Sequence, residues 1–571
     1  MLGVSKKDEF RRLLISVTQK SLKKSATPQD RPTAQSVFLK YWPHIVTVFI
    51  IVFVAAIRIR LLETPLERDE GEFAYMGQLM LQGIPPYLIF YSMKLPGIYA
   101  AYALMMAVFG QTIAGVHIGL LVVNAIAIIL IFILARRLFD DVVAVVAVSS
   151  YALLSVSPTV LGTSAHATQF IVPFVLGGTI VLLKALDSGK YWMIFVSGLA
   201  YGMAFIIKQH AVFFIPFAAL YFTWYIIRTR PFDLKRLASG ISLLLIASAI
   251  PFVITCVWLY FAGTLPKFWF WTFTYAHQYV SMIPLTDAIQ NFKISASNVV
   301  EPWDLLWIIA GIGLTSILWY EKARSNRFFL IVFTLFSFLT ICPGFFFREH
   351  YFVTILPSVA LLAGVATSAA MQFLSDKKMP LVVRLLPIIV TTAALVYPIT
   401  QFSDFFFRVT PVQACRMMYG VTPFPESIEV AKYIRNHSTK EDTIAVIGSE
   451  PQIYFYADRK SATGYIYVYA LMEPQDYASW MQDDMIREIE GALPKYVVFV
   501  KDPTSWLASP NSDATILNWT QTFTNNNYRI IGIIDIVDDD LSPSYWDEEI
   551  SRYNPQSPSN LVVFERKEKI K

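Results

Sequence analysis

Apolar runs of membrane length recur through the first 400 residues, separated by short polar loops, and stop after that point. A spanning helix needs about 20 largely apolar residues. Runs of this kind centre on 42–62, 113–135, 142–158, 166–183, 191–207, 211–227, 237–262, 303–320, 328–347, 351–374 and 383–400, which predicts eleven spans. The stretch 97–109 (GIYAAYALMMAVF) is apolar but short, and reads as a helix lying at the interface. Beyond residue 400 the pattern changes. Helical periodicity at 425–437 and 474–490 alternates with strand-like runs at 443–448, 496–500, 529–537 and 561–566. Such alternation predicts a small α/β domain.

Lys and Arg orient the spans, because cytoplasmic loops hold most of them. With the N-terminus inside, only Arg68, Lys94, Lys208, Lys267, Lys293 and Arg348 fall in outer segments before residue 400. Treating 97–109 as a further span would put Arg136 and Arg137 outside and reverse every later loop. The expected fold is a polytopic α-helical membrane protein with about eleven transmembrane helices, N-terminus in and C-terminus out. Interfacial helices occupy its first outer loop, and an extracytoplasmic α/β domain ends the chain. The boundaries are 1–41 for a basic cytoplasmic N-terminus, 42–400 for the membrane part, 63–112 for the first outer loop and 401–571 for the outer domain. The N-terminus up to Lys40 is too polar for a cleaved signal peptide, so the first span is expected to stay as a signal anchor in the inner or plasma membrane.

Composition agrees. Hydrophobic residues make up 55% of the chain and charged residues 16%, against roughly 25% charged in a soluble domain. The net charge of +5 reflects loop topology rather than nucleic-acid binding. Cys256, Cys342 and Cys415 form no CxxC motif, which argues against a disulfide framework or a zinc ribbon.

The same topology gathers polar residues on one side. The first outer loop reads RDEGEFAYMGQLMLQGIPPYLIFYSMKLP over 68–96 and carries Asp69, Glu70, Glu72, Tyr87 and Lys94. The second carries His166, Thr168 and Gln169. Lys208, Gln209 and His210 form the turn between the fifth and sixth spans, and Arg348, Glu349 and His350 separate the ninth and tenth. Ionisable residues at membrane depth are costly and usually face a cavity. Each has a structural alternative. Asp69 and Glu70 could cap a helix, Lys94 could snorkel to headgroups, Lys208 and Arg348 could anchor helix ends, and Arg58 and Arg60 read as headgroup anchors. Their joint occurrence on one face outweighs these separate readings.

An acidic pair after the first span, a GIPPY turn, the Lys94-Leu95-Pro96 element and a short helix ending in FG resemble the GT-C membrane glycosyltransferases. Within them the chain looks like the branch of protein O-mannosyltransferases and the aminoarabinose transferase of lipid A, over residues 40–400. The stretch GSEPQIYFYADRKSATGYIY at 448–467 is similar to the tail of bacterial members. This resemblance implies transfer of a sugar from a polyprenyl-monophosphate donor to a lipid, glycan or protein acceptor at the outer face. It implies Asp69 as catalytic base and Lys94 as a phosphate-binding residue; the clustering of outer-face polar residues adds Glu70 in support of Asp69, and Arg348, Lys208 and His350 at the phosphate. Glu72, Tyr87, His166 and Gln169 are candidate contacts to sugar or acceptor. Leu95 departs from the family's Lys-Pro-Pro element, and His166-Ala-Thr-Gln169 replaces a common carboxylate. No cofactor follows from the sequence; a divalent metal ion stays open, with Asp69 and Glu70 as its ligands. The rival reading is a transporter or flippase of lipid-linked sugars, which predicts charges near span centres and an internal repeat.

Overall fold

The computed structural model describes residues 34–567, with side chains from residue 40. The basic N-terminal segment expected over 1–41 lies almost wholly outside the described residues. By length and composition, seven helices are apolar enough to cross a membrane: Lys40–Arg60, Ile113–Leu138, Ala167–Ser188, Gln209–Arg228, Leu234–Phe261, Leu356–Asp376 and Leu381–Gln401. An eighth would be the pair Leu285–Val300 and Asp304–Leu318, bent by 108° at its break.

This differs from the count of eleven. The runs 142–158, 191–207, 303–320 and 328–347 each hold a helix of fewer than 18 residues: Asp141–Leu154, Tyr191–Ile207, Asp304–Thr315 and Arg327–Leu339. At 1.5 Å per residue, a 14-residue helix covers about 21 Å, short of a hydrocarbon core of about 30 Å. Three of the four stop just before a polar loop, at Ser155, Lys208 and Thr340. Non-helical backbone at membrane depth is tolerated where it lines a cavity.

The loop between the first two long helices holds two helices, Arg68–Leu81 and Gly97–Phe109. The second buries Ile98, Tyr99 and Tyr102 and exposes Leu104 and Val108. Gly97 matters here, since a Cβ would lie 2.4 Å from the Ile206 carbonyl oxygen. Arg58 and Arg60 are internal ties rather than headgroup anchors. Arg58 donates to the carbonyls of Gly162 and Ser155, and Arg60 to those of Phe405, Phe406 and Val409.

The C-terminal part forms a six-stranded mixed sheet in the order β2-β1-β3-β6-β4-β5. The strands are β1 (Thr443–Ile447), β2 (Lys460–Ser461), β3 (Tyr496–Lys501), β4 (Tyr528–Asp535), β5 (Ser544–Trp546) and β6 (Asn560–Arg566). β1 pairs in parallel with β2 and β3, and the remaining pairs are antiparallel. The strands at 443–448, 496–500, 529–537 and 561–566 are present, as are the helices, seen at Phe424–Asn436 and Ala478–Ala492. The two short edge strands carry too few residues to show in a hydrophobic pattern. Residues 47–567 cluster as one unit, with the sheet packed onto the helical part.

Candidate active site

The helix Arg68–Leu81 starts the site. Its cap is Glu67, whose carboxylate accepts from the Glu70 backbone N–H at 2.9 Å while the Glu70 carboxylate accepts from Glu67 N–H at 3.3 Å. Glu70 therefore serves the capping box. Its other oxygen accepts from Ala165 N–H at 2.6 Å and lies 3.1 Å from His117 Nε2. Adjacent residues on a helix diverge by about 100°, so Asp69 faces elsewhere, into a cavity of about 500 Å³.

Lys94 reaches Asp69 at 2.6 Å and Glu72 at 2.5 Å, so its ammonium sits between two carboxylates. The loop is held from behind. Tyr87 and Tyr99 hydroxyls donate to the Lys94 carbonyl, and Gln209 Nε2 donates to the Met93 carbonyl. Tyr87 is fully buried and fixes the loop instead of lining the cavity. Gln169 is likewise buried, near the Ser155 and Gly162 carbonyls.

Two further cations enter from other elements. Lys208, between two helices, places its ammonium 4.1 Å over the Tyr351 ring. Arg348 follows Phe345 and Phe347, both left-handed at φ 56° and 48°, which turns the chain sharply and aims Arg348 inward. Neither cation forms an ion pair among the described residues. His350 stacks on His166 with ring centroids 4.1 Å apart.

Charge follows burial and neighbours. Burial pushes the Asp69 carboxyl up, but Lys94, His166 and Arg348 outweigh it and hold the group well below the usual carboxylate range. Burial pulls His166 down to about 4 and lowers His350 as well, so both imidazoles are neutral at pH 7. Burial also pulls Lys208 down to about 7, with Lys94 and Arg348 adding to the effect. Asp69, His166 and His350 offer ligand atoms all within 4.8 Å of one another. His166 Nδ1 is buried without a hydrogen-bond partner among the described residues. Glu70, expected with Asp69, is committed to the cap and His117. His166 and His350, not Glu70, are the titratable groups whose ligand atoms gather with those of Asp69.

The cavity has two kinds of wall. Phe73, Ile98, Phe205, Val212 and Phe213 form an apolar side. Tyr467, Tyr469 and Glu473 close the polar side from the C-terminal domain, with Lys94 Nζ 5.2 Å from the Tyr467 ring centre. The sequence reading assigned these residues no role. The Tyr465-x-Tyr467-x-Tyr469 alternation was their visible signal, and only the docking of the sheet brings it to Asp69.

The chain is similar to several known proteins. The family model described as dolichyl-phosphate-mannose-protein mannosyltransferase matches residues 94–260. An undecaprenyl phosphate-alpha-4-amino-4-deoxy-L-arabinose arabinosyl transferase of Pseudomonas aeruginosa is 30% identical over 167 residues, 26% of this chain and 29% of that protein. The matched stretch thus spans under a third of that relative. ArnT from Cupriavidus metallidurans, solved with undecaprenyl phosphate, has a TM-score of 0.54 at 15% identity, covering 91% of this chain and 98% of that one. The oligosaccharyltransferase of Archaeoglobus fulgidus also scores 0.54, at 13% identity, over 90% and 75%. The protein is a multi-pass membrane protein with the fold of these membrane glycosyltransferases. The structural likeness extends over about nine tenths of the chain and is one of fold, while the family model covers residues 94–260.

Proposed function

We propose that this protein transfers a sugar from a polyprenyl-monophosphate donor to an acceptor hydroxyl, at the extracytoplasmic face of the cell membrane. The observation that carries the reading is one cavity joining an apolar wall, two cations without ion pairs among the described residues and an ionised carboxylate. The lipid tail lies along Phe205, Val212 and Phe213. The phosphate sits between Lys208 and Arg348, with His350 beside it. Lys94 keeps Asp69 ionised and oriented rather than holding phosphate.

Asp69 takes the proton of the acceptor hydroxyl as its oxygen bonds to the anomeric carbon. The bond from that carbon to the phosphate oxygen breaks, and the developing anion is held by Lys208 and Arg348. General-base help is worth up to about 10²–10⁴-fold and is smaller for a carboxylate held low, so preorganised positive charge at the leaving oxygen is the larger contribution. Direct displacement from the opposite side inverts the anomeric centre. The orientation is that of the charge pattern, N-terminus in and C-terminus out, with the four short helices completing eleven crossings.

Two imidazoles and a carboxylate suit a zinc-like divalent ion. His166, His350 and Asp69 would hold it, and it would supply further positive charge at the sugar-phosphate. The test uses purified protein in nanodiscs, undecaprenyl phosphate carrying a tritiated hexose or pentose, and membrane extract as acceptor source. Label should move with the native chain and not with Asp69→Asn. Equal transfer by both refutes Asp69 as base. Treatment with a chelator, followed by zinc or manganese, tests the metal.

A further inference from the structure

Glu450 lies in the loop after β1, and its carboxylate is fully buried. One oxygen accepts from Arg68 Nη2 at 3.0 Å, and the other accepts from the Ser505 hydroxyl at 2.6 Å. Arg68 also donates to the Thr504 hydroxyl at 2.9 Å, and its guanidinium lies 5.0 Å from the Phe424 ring centre and 5.9 Å from that of Tyr469. These partners stand more than 350 residues away in the chain, yet all grip the residue directly before Asp69.

Topology explains the place. From β1 the chain leaves to β2 on one side, and from β3 it leaves to β4 on the other, so β1 and β3 flank a switch point. Loops leaving the carboxyl ends of strands at such a point form a crevice that ordinarily receives a ligand. Here the loops 448–452 and 502–505 receive Arg68. Nearby contacts run along the same helix. A Cβ at Gly71 would lie 2.6 Å from Gln452, and the Ser461 N–H donates to the Tyr75 hydroxyl at 2.8 Å.

Burying a charge pair costs several kcal/mol per ion, and apolar replacements often match it in stability. Stability alone therefore explains this pair poorly. Orientation explains it better, because an ion pair with shared hydrogen bonds permits one arrangement where apolar packing permits several. We propose that Glu450 of the C-terminal domain is a positioning residue that acts through Arg68 to aim the Asp69 carboxylate at the acceptor. The inference rests on the reading of Asp69 as base. A misplacement of about 1 Å can cost about 10²-fold in rate.

The experiment is tritiated-sugar transfer by full-length protein in nanodiscs, assayed well below each variant's Tm. Glu450→Gln should lower kcat about 10- to 100-fold, leave the KM for the lipid-linked sugar unchanged, and leave binding of undecaprenyl phosphate unchanged by calorimetry. Glu450→Asp should recover part of kcat. Should Glu450→Gln not fold, Thr504→Val removes the neutral partner of Arg68, and kcat should fall several-fold at unchanged Tm. A folded Glu450→Gln, or Thr504→Val in its place, with native kcat while Asp69→Asn is inactive overturns the positioning role alone. Native transfer by Asp69→Asn overturns the base assignment beneath it. A fall in phosphate binding that accounts for the whole loss marks a purely structural contact, and also overturns the proposal.

Discussion

Lys208 gives the most quantitative prediction, because its ammonium is buried at the cavity, feels Asp69 only at a distance and forms no ion pair among the described residues. Desolvation brings it to about 7, so the empty site is half charged at neutral pH. Between pH 7 and pH 9 the charged fraction drops from about one half to about one hundredth. If phosphate binds the charged form, affinity should fall about 50-fold over that range, or about 2.3 kcal/mol. The neighbouring groups stay constant there. Asp69 is ionised, His166 and His350 are neutral, and Lys94 and Arg348 are held charged. A phosphate monoester has its second ionisation near 6, so it changes little above pH 7. Calorimetry with undecaprenyl phosphate in buffers of different ionisation enthalpy measures the protons directly. About half a proton should be taken up per phosphate at pH 7 and nearly one at pH 9. Lys208→Arg, whose guanidinium stays charged, should remove the slope and the uptake. A flat native profile, or an unchanged slope in Lys208→Arg, would refute the argument.

Other outcomes follow from the same geometry. Asp69→Asn should cost about 10²–10⁴-fold in kcat with little change in phosphate affinity, read by transfer rate and calorimetry. Arg348→Gln should instead weaken undecaprenyl phosphate binding, while Arg348→Lys retains charge and part of the affinity. Gly71→Ala forces a methyl against Gln452 and should destabilise the protein by about 1–3 kcal/mol, visible as a lower Tm. Tyr467→Ala should impair sugar transfer more than binding of bare undecaprenyl phosphate, since its ring lies beside Lys94 and not beside Lys208.

Much was legible in the sequence because the governing signals are local. A long apolar run makes a helix in the membrane part, though four of the eleven runs hold helices of fewer than 18 residues, and alternating strand and helix lengths make an α/β domain. Asp69 stood out because a carboxylate beside a membrane-length run has few cheap explanations. Its neighbour Glu70 looked equivalent in the chain, and only helix geometry separated them, turning one into the cavity and the other into the cap. Lys94 looked like a free cation, whereas the fold sets it between Asp69 and Glu72. Lys208 and Arg348 were expected at a phosphate site with helix-end anchoring as the alternative, and tertiary packing brings both to the cavity.

By itself, then, the sequence determined the membrane class, the secondary elements and which residue types were available for chemistry. These depend on hydrophobic length, periodicity and charge, all of which act over tens of residues. The tertiary structure decided which charges pair, where the short helices break and that the C-terminal sheet closes the site with Tyr467 and holds Arg68 through Glu450. Those outcomes turn on contacts between residues hundreds of positions apart, where burial and angstrom-scale distances rather than local pattern set the energy.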